Sequence, residues 1–119
     1  MLVCINLTVQ MVSDTFSLVD IEGGAAAAGE RGLLLYQNKG TVCAGPNFDG
    51  NAANAICKEM GYYSAKRWEL GDNFQGSLNI SLAAVNCEDD TWESCDYSDT
   101  IPSSCHHGQN VFLTCCGGR

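Results

Sequence analysis

Polar and apolar residues alternate from the start of the chain. Val3, Ile5, Leu7, Val9 and Met11 fall on one face, and Cys4, Asn6, Thr8 and Gln10 on the other. This period of two predicts a half-buried strand over residues 3–11. FSLV at 16–19 predicts a second short strand, and the small residues GGAAAAG at 23–29 read as a flexible connector. LLLY at 33–36 and GTVC at 40–43 predict a strand pair. In the intervening QNK, Asn38 tolerates the left-handed conformation of a tight turn.

The period then changes. Ala52, Ile56 and Met60 recur at helical spacing, and Ala53 and Cys57 widen the stripe. The pattern predicts a helix from about Asn51 to Met60, capped by Asp49 and stopped by Gly61. Cys57 thereby points into the core, where a bridged sulfur is more at home than a reactive thiol. LNISLAAV at 78–85 predicts a strand with Leu78, Ile80 and Leu82 on one face. TWESC at 91–95 predicts one helical turn capped by Thr91, and VFLTC at 111–115 a final buried strand. No internal repeat is visible.

Composition narrows the class. The chain has 119 residues, enough for one domain, and eight of them are cysteines. An even cysteine count in a small chain points to oxidised pairs in a secreted, extracellular setting. The zinc alternative needs close C-x-x-C pairs, and none is present. The net charge of −8 argues against nucleic acid and other polyanions as partners. No apolar run is long enough for a membrane span. The opening MLVCINLTVQ lacks a basic segment and is interrupted by polar residues, so it is not a persuasive signal peptide. The expectation is a mature product or a piece of a longer precursor, and the ending CGGR suits a trimmed or truncated terminus.

Candidate chemistry is sparse. His106 and His107 follow Cys105, but a metal or nucleophile role needs that cysteine free. No Ser-His-Asp arrangement, phosphate loop or catalytic carboxylate pair is visible, so the chain reads as no enzyme, with no cofactor and no metal. Glu88, Asp89 and Asp90 form an acidic run that reads as a solvated loop, with calcium binding as the alternative. Asn6 and Asn79 head N-glycosylation triplets. Trp68, after Lys66 and Arg67 in a loop-like stretch, is a candidate interface anchor, its alternative being partial burial beneath a loop.

Several stretches follow one another in an order that belongs to a known family. They are SLVD at 17–20, GTVC at 40–43, ANAICKEMGY at 53–62, FQGS at 74–77, and the spacing of Leu82, Val85 and Cys87. Cys95, the run Cys105-His106-His107, and Cys115 complete the series. In these features residues 17–115 resemble a scavenger receptor cysteine-rich domain. The resemblance implies an α+β fold, a curved antiparallel sheet cradling one main helix and stapled by disulfides. It implies bridges Cys43–Cys105, Cys57–Cys115 and Cys87–Cys95, of which the first two close long loops and contribute roughly 3–5 kcal/mol each through the unfolded state. The eight-cysteine members carry a further cysteine where Tyr62 stands here, so the chain resembles the six-cysteine group. The expected organisation is an N-terminal strand extension at 1–16, the domain at 17–116 and a tail at 117–119.

Cys4 and Cys116 stand outside the family pattern. One expectation pairs them, tying the 3–11 strand beside the C-terminus; the rival is an intermolecular bridge. The chain also departs from the family at its cation sites. The first uses acids after the GTVC cysteine and a glutamate beyond the later histidine, positions held here by Ala44, Gly45 and Gly108. The second uses acids where Ala83 and Ala84 stand. Methyl groups offer a hard cation no oxygen, so both sites read as lost. The family's common tryptophan before GTVC is likewise replaced, by Lys39. The expected function is a secreted protein-interaction module, a structural or accessory subunit of an extracellular assembly formed with other proteins or with itself. The alternative is innate, scavenger-type ligand recognition through a cation-independent surface.

Overall fold

The computed structural model describes residues 15–20, 24–26, 29–71, 79–105 and 107–118. The expected 3–11 strand, with Cys4 and Asn6, lies outside the described residues, as do Leu78, FQGS at 74–77 and His106.

Seven strands and one α-helix make up the described fold. In chain order they are β1 (Phe16–Val19), β2 (Arg31–Tyr36), β3 (Gly40–Cys43), α1 (Gly50–Glu59), β4 (Tyr62–Gly71), β5 (Ile80–Cys87), β6 (Cys95–Ser98) and β7 (Asn110–Gly118). Short 3-10 turns precede β6 (Trp92–Ser94) and β7 (His107–Gln109). The sheet runs β1-β2-β7-β3-β5-β6, and β4 adds to β7. β7 therefore pairs with β2, β3 and β4 and is the hub of the fold. All pairings are antiparallel except β3 with β5, so the sheet is mixed. The reason is the connection: α1 and β4 separate β3 from β5, which is the crossover a parallel neighbour needs.

The strand pair predicted at 33–43 closes as expected. Gln37 and Asn38 both take positive φ, 53° and 55°, the requirement of a two-residue primed turn. At the start of β3, a Cβ on Gly40 would strike the Asn79 carbonyl oxygen, so only glycine fits there. The described part of the connector, 24–26, is held in place. Ala25 bridges Val19, and Ala26 is buried against the site where Gly32 passes.

α1 begins at Asp49, whose carboxylate accepts from the Ala52 N–H at 3.1 Å. Gly61, at φ 95°, follows its end. Ala52, Ala53, Ala55, Ile56 and Cys57 are fully buried, and Met60 nearly so. Small alanines on this face let the helix approach the sheet closely. They meet Leu34, Val42, Leu82, Val85, Val111 and Leu113 to form the main core. Leu33, Leu35 and Phe112 form a smaller cluster, with Val19 packed against it.

Three disulfides join Cys43 to Cys105, Cys57 to Cys115 and Cys87 to Cys95. Cys116 is also disulfide-bonded. Its expected partner, Cys4, lies outside the described residues, so that pairing stands as a proposal.

Two local expectations are corrected. The stretch of Lys66, Arg67 and Trp68, expected to be loop-like, is part of the ten-residue strand β4. A β-bulge between Ala65 and Arg67 interrupts its period of two, which is why the alternation is hard to see. Thr91 precedes a 3-10 turn but makes no side-chain cap to it. Its hydroxyl instead donates to Asp89 at 2.6 Å, a shorter-range option open to threonine.

Removing the helix cap tests this account of α1. Asp49→Ala is expected to lower stability by about 1 kcal/mol in urea unfolding with the disulfides intact. An unchanged midpoint would contradict the capping role.

Candidate protein-docking surface

β4 carries most of the large apolar side chains left in solvent. Tyr63 is 67%, Leu70 52% and Trp68 43% exposed, and among the described residues only Tyr97 lies elsewhere in this class. The arrangement follows from the pairing with β7. Trp68 lies opposite Leu113 and Leu70 opposite Val111, and both partners are fully buried in the main core. Trp68 and Leu70 therefore stand on the helix side of the sheet, beside the flank of α1.

The indole of Trp68 reaches Gly50, with ring carbons 3.7–3.8 Å from where a Cβ would sit. The ring is held on one side by the start of the helix and open on the other. Asn54 of α1 fixes the strand at its bulge, accepting from the Ala65 N–H at 2.8 Å. A bulge leaves a ladder group without its strand partner, and this helix side chain supplies one.

Lys66 and Arg67 are exposed at the bulge. Neighbouring Glu69 is engaged by Arg31 at 3.5 Å, and the Arg31 guanidinium lies 4.0 Å over the Phe112 ring. By the same register Arg67 and Glu69 lie opposite Thr114 and Phe112, on the other face of the sheet from Trp68 and Leu70. β4 also has an open side: it pairs with β7, and no second strand partner is found among the described residues. The interface candidates Trp68, Lys66 and Arg67 are all exposed on β4, and Tyr63 and Leu70, which were not named from sequence, are exposed on the same strand; their signal is the aromatic and aliphatic content of YYSAKRWELG.

A second region lies where β3 ends beside the middle of β5. Cys43 lies opposite Ala83, which brings Ala44 and Gly45 against Ala83 and Ala84. A Cβ on Gly45 would lie 3.2 Å from the Ala84 Cα. Here a cleft of about 220 Å³ is lined by Gly45, Pro46, Ala84, Pro102, Ser104 and Cys105, with Gln109. No carboxylate lines it. Ala84 adopts φ 57°, a left-handed conformation that strains a residue with a Cβ.

The acidic run after β5 is already engaged. Asp89 accepts from the Thr91 N–H at 2.9 Å and from its hydroxyl, and these bonds lower its pKa, with further help from Ser94. Asp90 pairs with Lys58 of α1. Among the described residues no three His, Cys, Asp or Glu side chains form a group able to hold a metal. Cys105 is bridged, which removes it as a ligand or nucleophile. Asn79 is exposed immediately before β5.

Comparison with known proteins resolves what the scaffold is. The family model of the scavenger receptor cysteine-rich (SRCR) domain matches residues 21–116. The chain belongs to the SRCR family. Macrophage receptor MARCO of Mesocricetus auratus is 34% identical over 105 residues, covering 85% of this chain and 20% of that protein. Human lysyl oxidase homolog 3 is 31% identical over 102 residues, covering 82% of this chain and 13% of that protein. The chain thus spans a fifth or less of these relatives' lengths. The crystal structure of the dimeric form of the mouse MARCO SRCR domain superposes with a TM-score of 0.55 at 28% identity, covering 72% of this chain and 86% of that one.

An SRCR domain is a protein-interaction module found in scavenger receptors and other extracellular proteins, and it is generally non-enzymatic. The lysyl oxidase homologues do not alter this, because the match covers a small part of their length. SRCR relatives are extracellular or membrane-anchored; among the described residues no helix is long and apolar enough to cross a membrane.

The strain at residue 84 is testable. Ala84→Gly is expected to stabilise the fold by about 0.5–1 kcal/mol, read as a higher urea midpoint. Loss of stability would show that the strain relieved is smaller than the entropy cost of glycine at that position.

Proposed function

We propose that this SRCR domain is a secreted structural or accessory subunit of an extracellular assembly, docking other proteins through β4 without a cation. The observation that carries this reading is the clustering of Tyr63, Trp68 and Leu70 on one strand with an open side. Half-exposed aromatic residues held by a rigid scaffold are the kind that anchor protein interfaces. Lys66 and Arg67 on the same strand favour an acidic rim on the partner. An open strand edge adds main-chain donors and acceptors to the same surface.

The side chains around the cleft at Gly45 and Ala84 support a cation-independent contact. Ala44, Gly45, Ala83 and Ala84 supply no side-chain oxygen, and no carboxylate lines the cleft beside Gly45 and Ala84. Asn79, exposed at the start of β5, is the proposed glycan acceptor, together with Asn6.

Two measurements test the reading. Calorimetric titration with calcium is expected to show no binding tighter than millimolar, and a micromolar site would restore the cation-dependent alternative. Sedimentation of the natively secreted protein is expected to show a species larger than the monomer, reduced to monomer by Trp68→Ala with Leu70→Ser. A wild-type protein that sediments alone as a monomer overturns the assembly role.

A further inference from the structure

A second exposed aromatic feature lies away from β4. Trp92, in the 3-10 turn after β5, and Tyr97, on β6, are stacked with centroids 4.8 Å apart and planes 15° from parallel. Phe16 of β1 meets Trp92 edge-on at 4.9 Å. Tyr36 of β2 lies 6.2 Å from Tyr97. The rings form a graded series from core to solvent. Phe16 is 2% and Tyr36 9% exposed, Trp92 packs against the core cluster, and Tyr97 is 46% exposed. The inner rings therefore hold the outer one in place. Among the described residues β6 is the last strand in its direction, and no described strand lies beyond it over the stack.

The surroundings are acidic. Asp99 lies close enough to act on the Tyr36 phenol, whose pKa is raised by burial first, then by Tyr97, then by Asp99. Glu93 and Asp96 are exposed next in sequence to Trp92 and Tyr97. The ion pairs found among the described residues are Arg31–Glu69 and Lys58–Asp90, and neither uses these three acids. The stack is thus an open ring face beside uncompensated carboxylates.

We propose that the Trp92–Tyr97 stack docks an arginine side chain from a basic segment of a partner protein, with the guanidinium on the outer face of Tyr97 and its charge met by Asp99. A ring face carries negative potential and attracts a cation laid over it. A guanidinium suits this place better than an ammonium, because it is planar, weakly hydrated and able to fork onto a carboxylate. The net charge of −8 draws a basic segment inward, but at physiological salt that attraction fades within about 8 Å, so selectivity must come from contact. The site is independent of β4, where Lys66 and Arg67 repel the same segment.

The test uses the whole oxidised chain and a soluble Gly-Ser peptide carrying several arginines. Its lysine and citrulline counterparts are compared by calorimetry at physiological salt. The arginine peptide is expected to bind more tightly than the lysine peptide, and the citrulline peptide not to bind. Tyr97→Ala is expected to weaken arginine-peptide binding about tenfold, Asp99→Asn to weaken it as well, and Tyr97→Phe to preserve it. Trp68→Ala is expected to leave it unchanged, which separates this site from the β4 surface. Equal binding by Tyr97→Ala would reduce the effect to general charge attraction and overturn the proposal. So would equal or tighter binding of the lysine peptide, or no binding of the arginine peptide by the wild type. Tyr97→Phe and Asp99→Asn retain the packed ring and keep the test decisive should Tyr97→Ala fold poorly.

Discussion

The bridge from Cys57 to Cys115 is the constraint on which the rest depends. It joins the buried face of the only α-helix described to the hub strand of the sheet, across 58 residues of chain. A link of that span restricts the unfolded chain enough to contribute about 4 kcal/mol. That is a large share of the stability of a small domain. The apolar contacts alone are modest, because the helix face is mostly alanine and its one large aliphatic anchor is Ile56. The sulfur bridge holds this slim helix against the sheet, and the close approach of alanines then excludes water.

The surface features inherit their rigidity from that junction. β4 lies between α1 and β7, tied to the first by Asn54 and to the second by a ladder from Tyr62 to Gly71. Trp68 is braced against Gly50 at the helix start. Phe16 and Tyr36 join the same core and brace Trp92 and Tyr97. Both exposed aromatic sites are therefore outward ends of core packing. A rigid anchor loses little side-chain freedom on contact, which favours binding.

Where local chemistry and tertiary packing agree, the chain could be read directly. Asp49 and Gly61 bracket a helix whose alanine stripe is buried, and Asn38 sits in the turn its type favours. FSLV and VFLTC become strands because their neighbours in the sheet want the same apolar face. The reading failed at 62–71, where Lys66, Arg67 and Glu69 interrupt the apolar pattern and a bulge shifts its phase. Only the ladder to β7 and the Asn54 bond make that segment a strand, and neither is visible locally. β6 was missed for a similar reason: CDYS is short and half polar, and its pairing to β5 is imposed by the Cys87–Cys95 bridge at its base. The disulfide pairing itself came from family resemblance, since spacing alone leaves many connectivities open. The Trp92–Tyr97 stack joins residues close in sequence, but its bracing by Phe16 and Tyr36 spans most of the chain.

The central claim is that the helix-to-hub bridge, more than apolar packing, keeps α1 on the sheet and so keeps β4 presented. Amide hydrogen exchange on the Cys57→Ala, Cys115→Ala double variant, with the other bridges oxidised, tests it most directly. The account predicts that amides of α1 and of β4 lose protection together, by orders of magnitude relative to the wild type, in keeping with the loss of about 4 kcal/mol. Full protection of α1 in the variant would contradict it, and would show that packing alone holds the helix in place.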